Sequence, residues 1–208
     1  MSKIPVFDIG DTITPSRQLS RKFFRKELKR RGVESPPEYP FEGYNEFVPE
    51  SIQGWLDEEG IEVEADELVD LYMERKRNRI IESGVLGELK KVQEEISQIG
   101  ILSDNKKEAK KFYREIFEKR GIEVDGFVVS EEVRARKPSR QIFDAFLDRR
   151  DVAGERCVYF GNRGDIDSAC QKVGMEFVWV TQYDTFGTSW DGRKIDELTF
   201  KEIREVFG

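Results

Sequence analysis

The chain has 208 residues, room for one full domain and a smaller one, and its 38% hydrophobic and 37% charged residues describe a sizeable core under a heavily charged surface. A net charge of −7 argues against a nucleic-acid or anionic-membrane partner, since both want a basic face. The chain has no histidine, which excludes Ser-His-Asp and Cys-His catalysis, zinc sites built on His and the commonest general base, so its chemistry must run on carboxylates, Lys, Ser, Thr or Cys.

Taken in order, the chain opens on a short apolar run that stops at Asp8 and meets Gly10, Asp11 and Thr12, residues that open a turn. Asp8 is therefore expected at the carboxyl end of a buried strand, the rim on which open α/β sheets bind ligands. The plainer reading is an Asx-type turn in which Asp8 bonds its own backbone. Residues 16–31 place Leu19, Phe23, Phe24 and Leu28 on one helical face, and Gly32 closes the helix. A turn-rich stretch, 35–49, carries Tyr39, Phe41, Tyr44 and Phe47 among its prolines, which predicts a loop that packs on something or covers a pocket. Residues 50–59 and 66–83 read as two more helices. The basic-looking clusters at 21–31 and 75–79 are interleaved with or flanked by Glu27, Glu67, Glu74 and Glu82, so they read as solvated helix faces.

From Gly84 the character changes. A helix at 85–96 leads into an apolar run at 99–103. Helices at 106–120, 139–149, 165–173 and 199–206 then alternate with, or follow, runs at 127–129, 157–160 and 177–180. Strands alternating with helices predict a parallel sheet wound by right-handed crossovers. Cys157 and Cys170 have no metal-type spacing and read as small core residues of a reduced compartment. The sequence opens on no basic-then-apolar leader, and no apolar run approaches membrane-spanning length; the expectation is a cytoplasmic protein with no membrane partner.

Each predicted strand is followed by a polar residue of a different type: Asp8 after the first, Ser103 at the second, Asn162 and Asp165 after the run at 157–160, with Lys137 in the loop after 127–129. A carboxylate, a hydroxyl, an ammonium and a second carboxylate on one rim make a workable set for nucleophilic displacement by Asp.

These residues lie in stretches that together resemble the haloacid dehalogenase-like (HAD) hydrolases over essentially the whole chain. Phe7-Asp-Ile-Gly-Asp-Thr12 is similar to the first family motif, Gly100-Ile-Leu-Ser-Asp-Asn105 to the second and Lys137-Pro-Ser-Arg-Gln-Ile-Phe143 to the third. Tyr159-Phe-Gly-Asn-Arg-Gly-Asp165, with Ser168-Ala169 and Gly174-Met175, resembles the fourth. The resemblance implies an α/β fold: a Rossmann-like three-layer core with a parallel sheet, from residues 1–13 and 84–208, and a small helical cap, 14–83, inserted after the first strand to close over the site. It implies Asp8 as nucleophile through a covalent aspartyl intermediate, Thr12, Ser103, Lys137 and Asp165 as further catalytic residues, and Asp104, Asn105 and Asn162 at the substrate. A Mg²⁺ ion would sit at Asp8, Gly10 and Asp165, and the partner would be a small-molecule substrate. Without the other strand-end residues, Lys137 would read as a surface lysine ahead of Pro138 and Ser103 as a cap of the next helix.

Two departures stand out. Phosphatases of the family usually carry a second Asp two residues after the nucleophile as general acid and base, where this chain has Gly10; Asp11 would have to reach across the turn to replace it. Their fourth motif usually reads Gly-Asp with another Asp four or five residues on, where this chain has Gly161-Asn162 with Asp165 three beyond. That spacing is closer to the metal-independent dehalogenases. Three readings follow: a phosphatase on a small organic phosphate, a metal-independent 2-haloacid dehalogenase-type hydrolase, and a binding domain that keeps the fold with weakened catalysis. Substrate contacts are sought among Arg17, Tyr44, Trp55 and Arg75. The stretch 183–191, polar and aromatic, reads first as an ordered surface loop and otherwise as a border of the site or of a partner.

Overall fold

A computed structural model describes residues 3–40, 45–183 and 185–208. Its centre is β1, Ile4–Phe7, whose residues are all buried. A strand that is apolar on both faces must be covered on both, and this one lies in the middle of a parallel sheet. The other strands are β2 (Ile99–Ser103), β3 (Val124–Val129), β4 (Cys157–Gly161), β5 (Glu176–Val180) and the two-residue β6 (Lys194–Ile195), in the order β3-β2-β1-β4-β5-β6, all parallel. Register sets Phe7 beside Ile101 on one flank and Phe160 on the other, so the residues just beyond reach the same rim.

The helices are α1 (Arg17–Arg30), α2 (Pro49–Glu58), α3 (Ala65–Glu82), α4 (Val85–Glu95), α5 (Lys107–Lys119), α6 (Ser130–Val133), α7 (Arg140–Arg150), α8 (Gly164–Asp167) and α9 (Phe200–Phe207). Alternation along each strand sends successive side chains to opposite faces. On one face Val6, Leu102, Val128 and Tyr159 pack with Ile142, Phe143 and Phe146 of α7. On the other, Phe7 stacks on Phe160, Phe160 on Phe207 of α9, and Phe127 meets Phe117 of α5. β2 approaches α7 closely at Gly100, where a side-chain carbon would run into the Phe146 ring.

Most predicted elements are present within a residue or two of the expected ends, with four differences. The strand expected at 127–129 starts at Val124. The pairing of β6 and the single turn of α6 had no periodic signal, being too short to show one. The helix expected over 165–173 is one α-turn, α8, followed by a 3-10 segment, Ser168–Val173, which Gly174 ends in the left-handed region at φ 88°.

The chain divides into two compact units, Pro15–Glu82 and the remainder, Met1–Thr14 with Ser83–Gly208. The inserted unit has its own aromatic core: Phe24 lies 4.7 Å from Tyr39 and 5.4 Å from Tyr72, and Trp55 meets both Phe24 and Tyr39 edge-on. Tyr39 is thus a loop aromatic that packs on something, as expected; Phe41 and Tyr44 lie outside the described residues. Trp55 is 1% exposed within this core, which corrects its reading as a substrate contact. Arg17 is half-buried and Arg75 exposed. Among the described residues no helix is long and apolar enough to cross a membrane.

Candidate active site

Asp8 directly follows β1, its backbone N–H continuing the ladder by donating to the Phe160 carbonyl at 2.9 Å. The chain then wraps around one carbonyl: that of Ile9 accepts from the N–H groups of Thr12, Ile13 and Thr14 at 3.0–3.3 Å. This turn puts Asp11 at φ 53°, a left-handed conformation that Asp tolerates better than most residues. The Asp8 carboxylate is buried, and its Oδ1 has no hydrogen-bond partner among the described residues. Oδ2 lies 3.2 Å from the ammonium of Lys137.

Lys137 Nζ has three close oxygens: besides Asp8, Asp167 Oδ1 at 2.6 Å and the Tyr159 hydroxyl at 3.0 Å. An ammonium has three protons, so these acceptors fix its position. Tyr159 in turn donates to the Leu102 carbonyl at 2.9 Å, and the second oxygen of Asp167 accepts from the Arg163 N–H at 2.8 Å. Burial alone would push Lys137 toward neutrality; the carboxylates of Asp167 and Asp8 outweigh it and hold the ammonium well above its usual range. Burial raises Asp167 to about 6 against the pull of Lys137. At 2.6 Å the two form an ion pair at neutral pH. Burial also raises Asp104, although Lys137 opposes it; its Oδ1 accepts from the Lys137 N–H at 3.1 Å.

Ser103 ends β2, nearly inaccessible, and its Oγ accepts from Asn105 Nδ2 at 3.0 Å, which leaves its own proton for another acceptor. Thr12 Oγ1 and Asn162 Nδ2 are likewise buried and lack hydrogen-bond partners among the described residues. Because β2, β1 and β4 are neighbours in the sheet, Ser103, Thr12 and Asn162 all lie on the rim that carries Asp8.

The structure thus brings Asp8, Ser103, Asp104 and Lys137 to one rim, with Thr12, Asn105 and Asn162 beside them. Asp165 does not share Lys137. Its side chain is 49% exposed and pairs with Arg163, at 3.0 Å to Nε and 2.7 Å to Nη2, and this guanidinium holds its carboxyl below the usual range. The acid on Lys137 is Asp167, which is completely buried. The signal that would have found it is spacing: Asp167 stands five residues after Asn162, the separation the fourth motif asks for. Gly161 makes the room, since a side-chain carbon there would meet the Asp167 carboxylate. Tyr159 was also missed, because a strand tyrosine reads as core. The stretch at 183–191 does border this region: Thr185 Oγ1 donates to Asp11 Oδ2 at 3.0 Å, and the Phe186 ring lies 4.4 Å from the Arg163 guanidinium.

Magnesium asks for several hard oxygen ligands, mostly charged when the protein supplies few. Here Gly10 can offer only its uncharged backbone carbonyl, the Asp165 carboxylate is taken by Arg163, and both oxygens of Asp167 accept from N–H groups of the protein. Asp8 Oδ1 remains, while Lys137 already serves as the cation between Asp8 and Asp167. Among the described residues no group of three or more Asp, Glu, Cys or His is placed to hold a metal. The donor set expected from the sequence, Asp8, Gly10 and Asp165, does not fit a magnesium ion.

Residues 5–180 match the family of haloacid dehalogenase-like hydrolases. Among solved structures, the fold is similar to that of CbbY from Rhodobacter sphaeroides in complex with phosphate, at 18% identity over 95% of both chains with a TM-score of 0.62. It is similar to the HAD-type protein YfnB from Bacillus subtilis, bound to magnesium, at 16% identity over 100% of this chain and 99% of that one, TM-score 0.61. It is also similar to the L-2-haloacid dehalogenase PA0810, at 10% identity over 100% of both chains, TM-score 0.64. A search of curated proteins finds no match. The match of residues 5–180, together with the parallel sheet and the helical insertion after β1, makes the chain a member of the haloacid dehalogenase-like hydrolases.

Proposed function

We propose that this hydrolase attacks a small organic phosphate with Asp8 and passes through a covalent aspartyl phosphate. The observation that carries this reading is the state of the Asp8 carboxylate. Lys137 holds Oδ2 at 3.2 Å, and Oδ1 is buried without a hydrogen-bond partner among the described residues, a poorly solvated oxygen ready to attack. The donors on the same rim, the Ser103 hydroxyl, Thr12 Oγ1 and Asn162 Nδ2, suit the non-bridging oxygens of a phosphoryl group. Lys137 offsets the charge that accumulates as Asp8 attacks. Asp167 and Tyr159 hold it there, and the inserted unit, 15–82, serves as the cap.

The test is phosphate release from 4-nitrophenyl phosphate by the wild type and by Asp8→Asn, each with magnesium and with a chelator. The expected result is release that disappears in the variant and survives the chelator. A second reading, carbon–halogen cleavage in a 2-haloacid, is favoured by Gly10, because a halide leaves without needing a proton. Chloride release from 2-chloropropionate with no release from the phosphate would select it. Phosphate binding without turnover of either would leave a binding domain.

A further inference from the structure

Resting on that reading, we propose that the site acts on phosphoryl donors whose leaving group departs as a stable anion, an acyl phosphate, a phosphoanhydride or an aryl phosphate, and not on simple alkyl phosphates. The argument follows the protons. An alkoxide leaving group needs one as its bond to phosphorus breaks. Among the described residues of the core unit, the ionisable side chains around Asp8 are already held in hydrogen bonds or ion pairs. The three protons of Lys137 face Asp167, Tyr159 and Asp8. Tyr159 donates its proton to the Leu102 carbonyl. Asp167 accepts from Lys137 and Arg163, and Asp104 from the Lys137 N–H. Position 10 is a glycine, and the Asp11 carboxylate next to it receives the Thr185 hydroxyl.

The balanced sequence then needs no acid. Asp8 Oδ1 forms a bond to phosphorus, the bond from phosphorus to the leaving oxygen breaks, and that oxygen departs with the electron pair as an anion. Water next adds to phosphorus as the bond to Asp8 breaks; the carboxylate is restored and dihydrogen phosphate leaves, shedding its proton to solvent. Such a site discriminates by the stability of the leaving anion, where one with a positioned acid levels it.

The experiment measures kcat/KM of the full chain over a series of aryl phosphates of graded phenol acidity, acetyl phosphate and two alkyl phosphates. The expected result is a steep fall with leaving-group basicity, alkyl phosphates running about 100-fold to 10,000-fold below the most activated aryl esters, the contribution of a positioned acid. Asp11→Asn should show the same slope as the wild type. Gly10→Asp should raise the alkyl rate relative to the aryl rate, and Gly10→Asn, equal in size but without a proton to give, should not. A shallow slope with turnover that still depends on Asp8 overturns the inference and leaves the nucleophile standing, as does a slope that steepens in Asp11→Asn. No turnover of any ester, acetyl phosphate included, overturns the inference together with the phosphatase reading.

Discussion

Asp165 and Asp167 differ by two positions and by everything that surrounds them. Asp165 is a half-exposed partner of Arg163, so Asp165→Asn should change stability by less than about 1 kcal/mol and leave hydrolysis near wild type. Asp167 is a buried carboxylate on a buried ammonium. Asp167→Asn should cost about 3–5 kcal/mol in urea unfolding, the range for breaking such a pair, and lower kcat severalfold as Lys137 loses its anchor. If both variants unfold and turn over alike, Asp167 has been misplaced as the anchor. Tyr159→Phe takes an acceptor from Lys137 and a donor from the Leu102 carbonyl, an expected cost of about 1–3 kcal/mol. Gly161→Ala belongs to the same cluster: its added carbon displaces Asp167, so it should mimic Asp167→Asn in activity although it removes no charge.

At the scale of elements, the inserted unit is organised around a second buried lysine. Lys76 of α3, 1% exposed, contacts Glu46, the Tyr72 hydroxyl and Ser16 Oγ at 3.1–3.2 Å and sits 4.8 Å above the Phe47 ring. It joins α3 to the ends of two loops. Removing one partner of a buried pair strands the other, while replacing both with apolar side chains is often neutral. Lys76→Met alone should therefore lower stability by about 3–5 kcal/mol, and Lys76→Met with Glu46→Leu should regain most of it, as read by denaturant midpoints. A double variant no more stable than the single one would mean that Lys76 acts chiefly through Ser16, Tyr72 and the aromatic face. In the core unit two helices start on a side-chain cap: Ser139 Oγ accepts from the Gln141 N–H at the start of α7, and Thr199 Oγ1 from the Glu202 N–H at the start of α9.

Over the whole molecule, the thiols report on packing. Burial pushes Cys157 up to about 11 and Cys170 well above the ordinary range. Only the thiolate reacts with alkylating reagents, so both should resist iodoacetamide at pH 8 in the folded protein and label promptly in denaturant. Labelling in minutes under native conditions would show that the sheet opens locally. A thiol whose folded value is raised stabilises the fold in full below its unfolded value of about 9. That contribution is lost as pH rises through about 11, so the urea midpoint should fall across this window.

The order of elements was legible because it rests on local pattern: helical spacing of apolar residues, short apolar runs, and a polar residue closing each run. The placement of Asp8, Ser103 and Lys137 near one rim followed, since parallel strands must end on the same side. The choice between Asp165 and Asp167 was not legible. Residues two apart on a helical turn point about 200° apart, so the sequence offers one inward acid and one outward without saying which. Docking of α8 against the space left by Gly161, with the Arg163 N–H closing on Asp167, made that choice. Tyr159 likewise became a support for Lys137 only when β4 settled beside β1 and opposite α7. Such assignments depend on which faces meet across the sheet, and one chain read along its length carries no record of that.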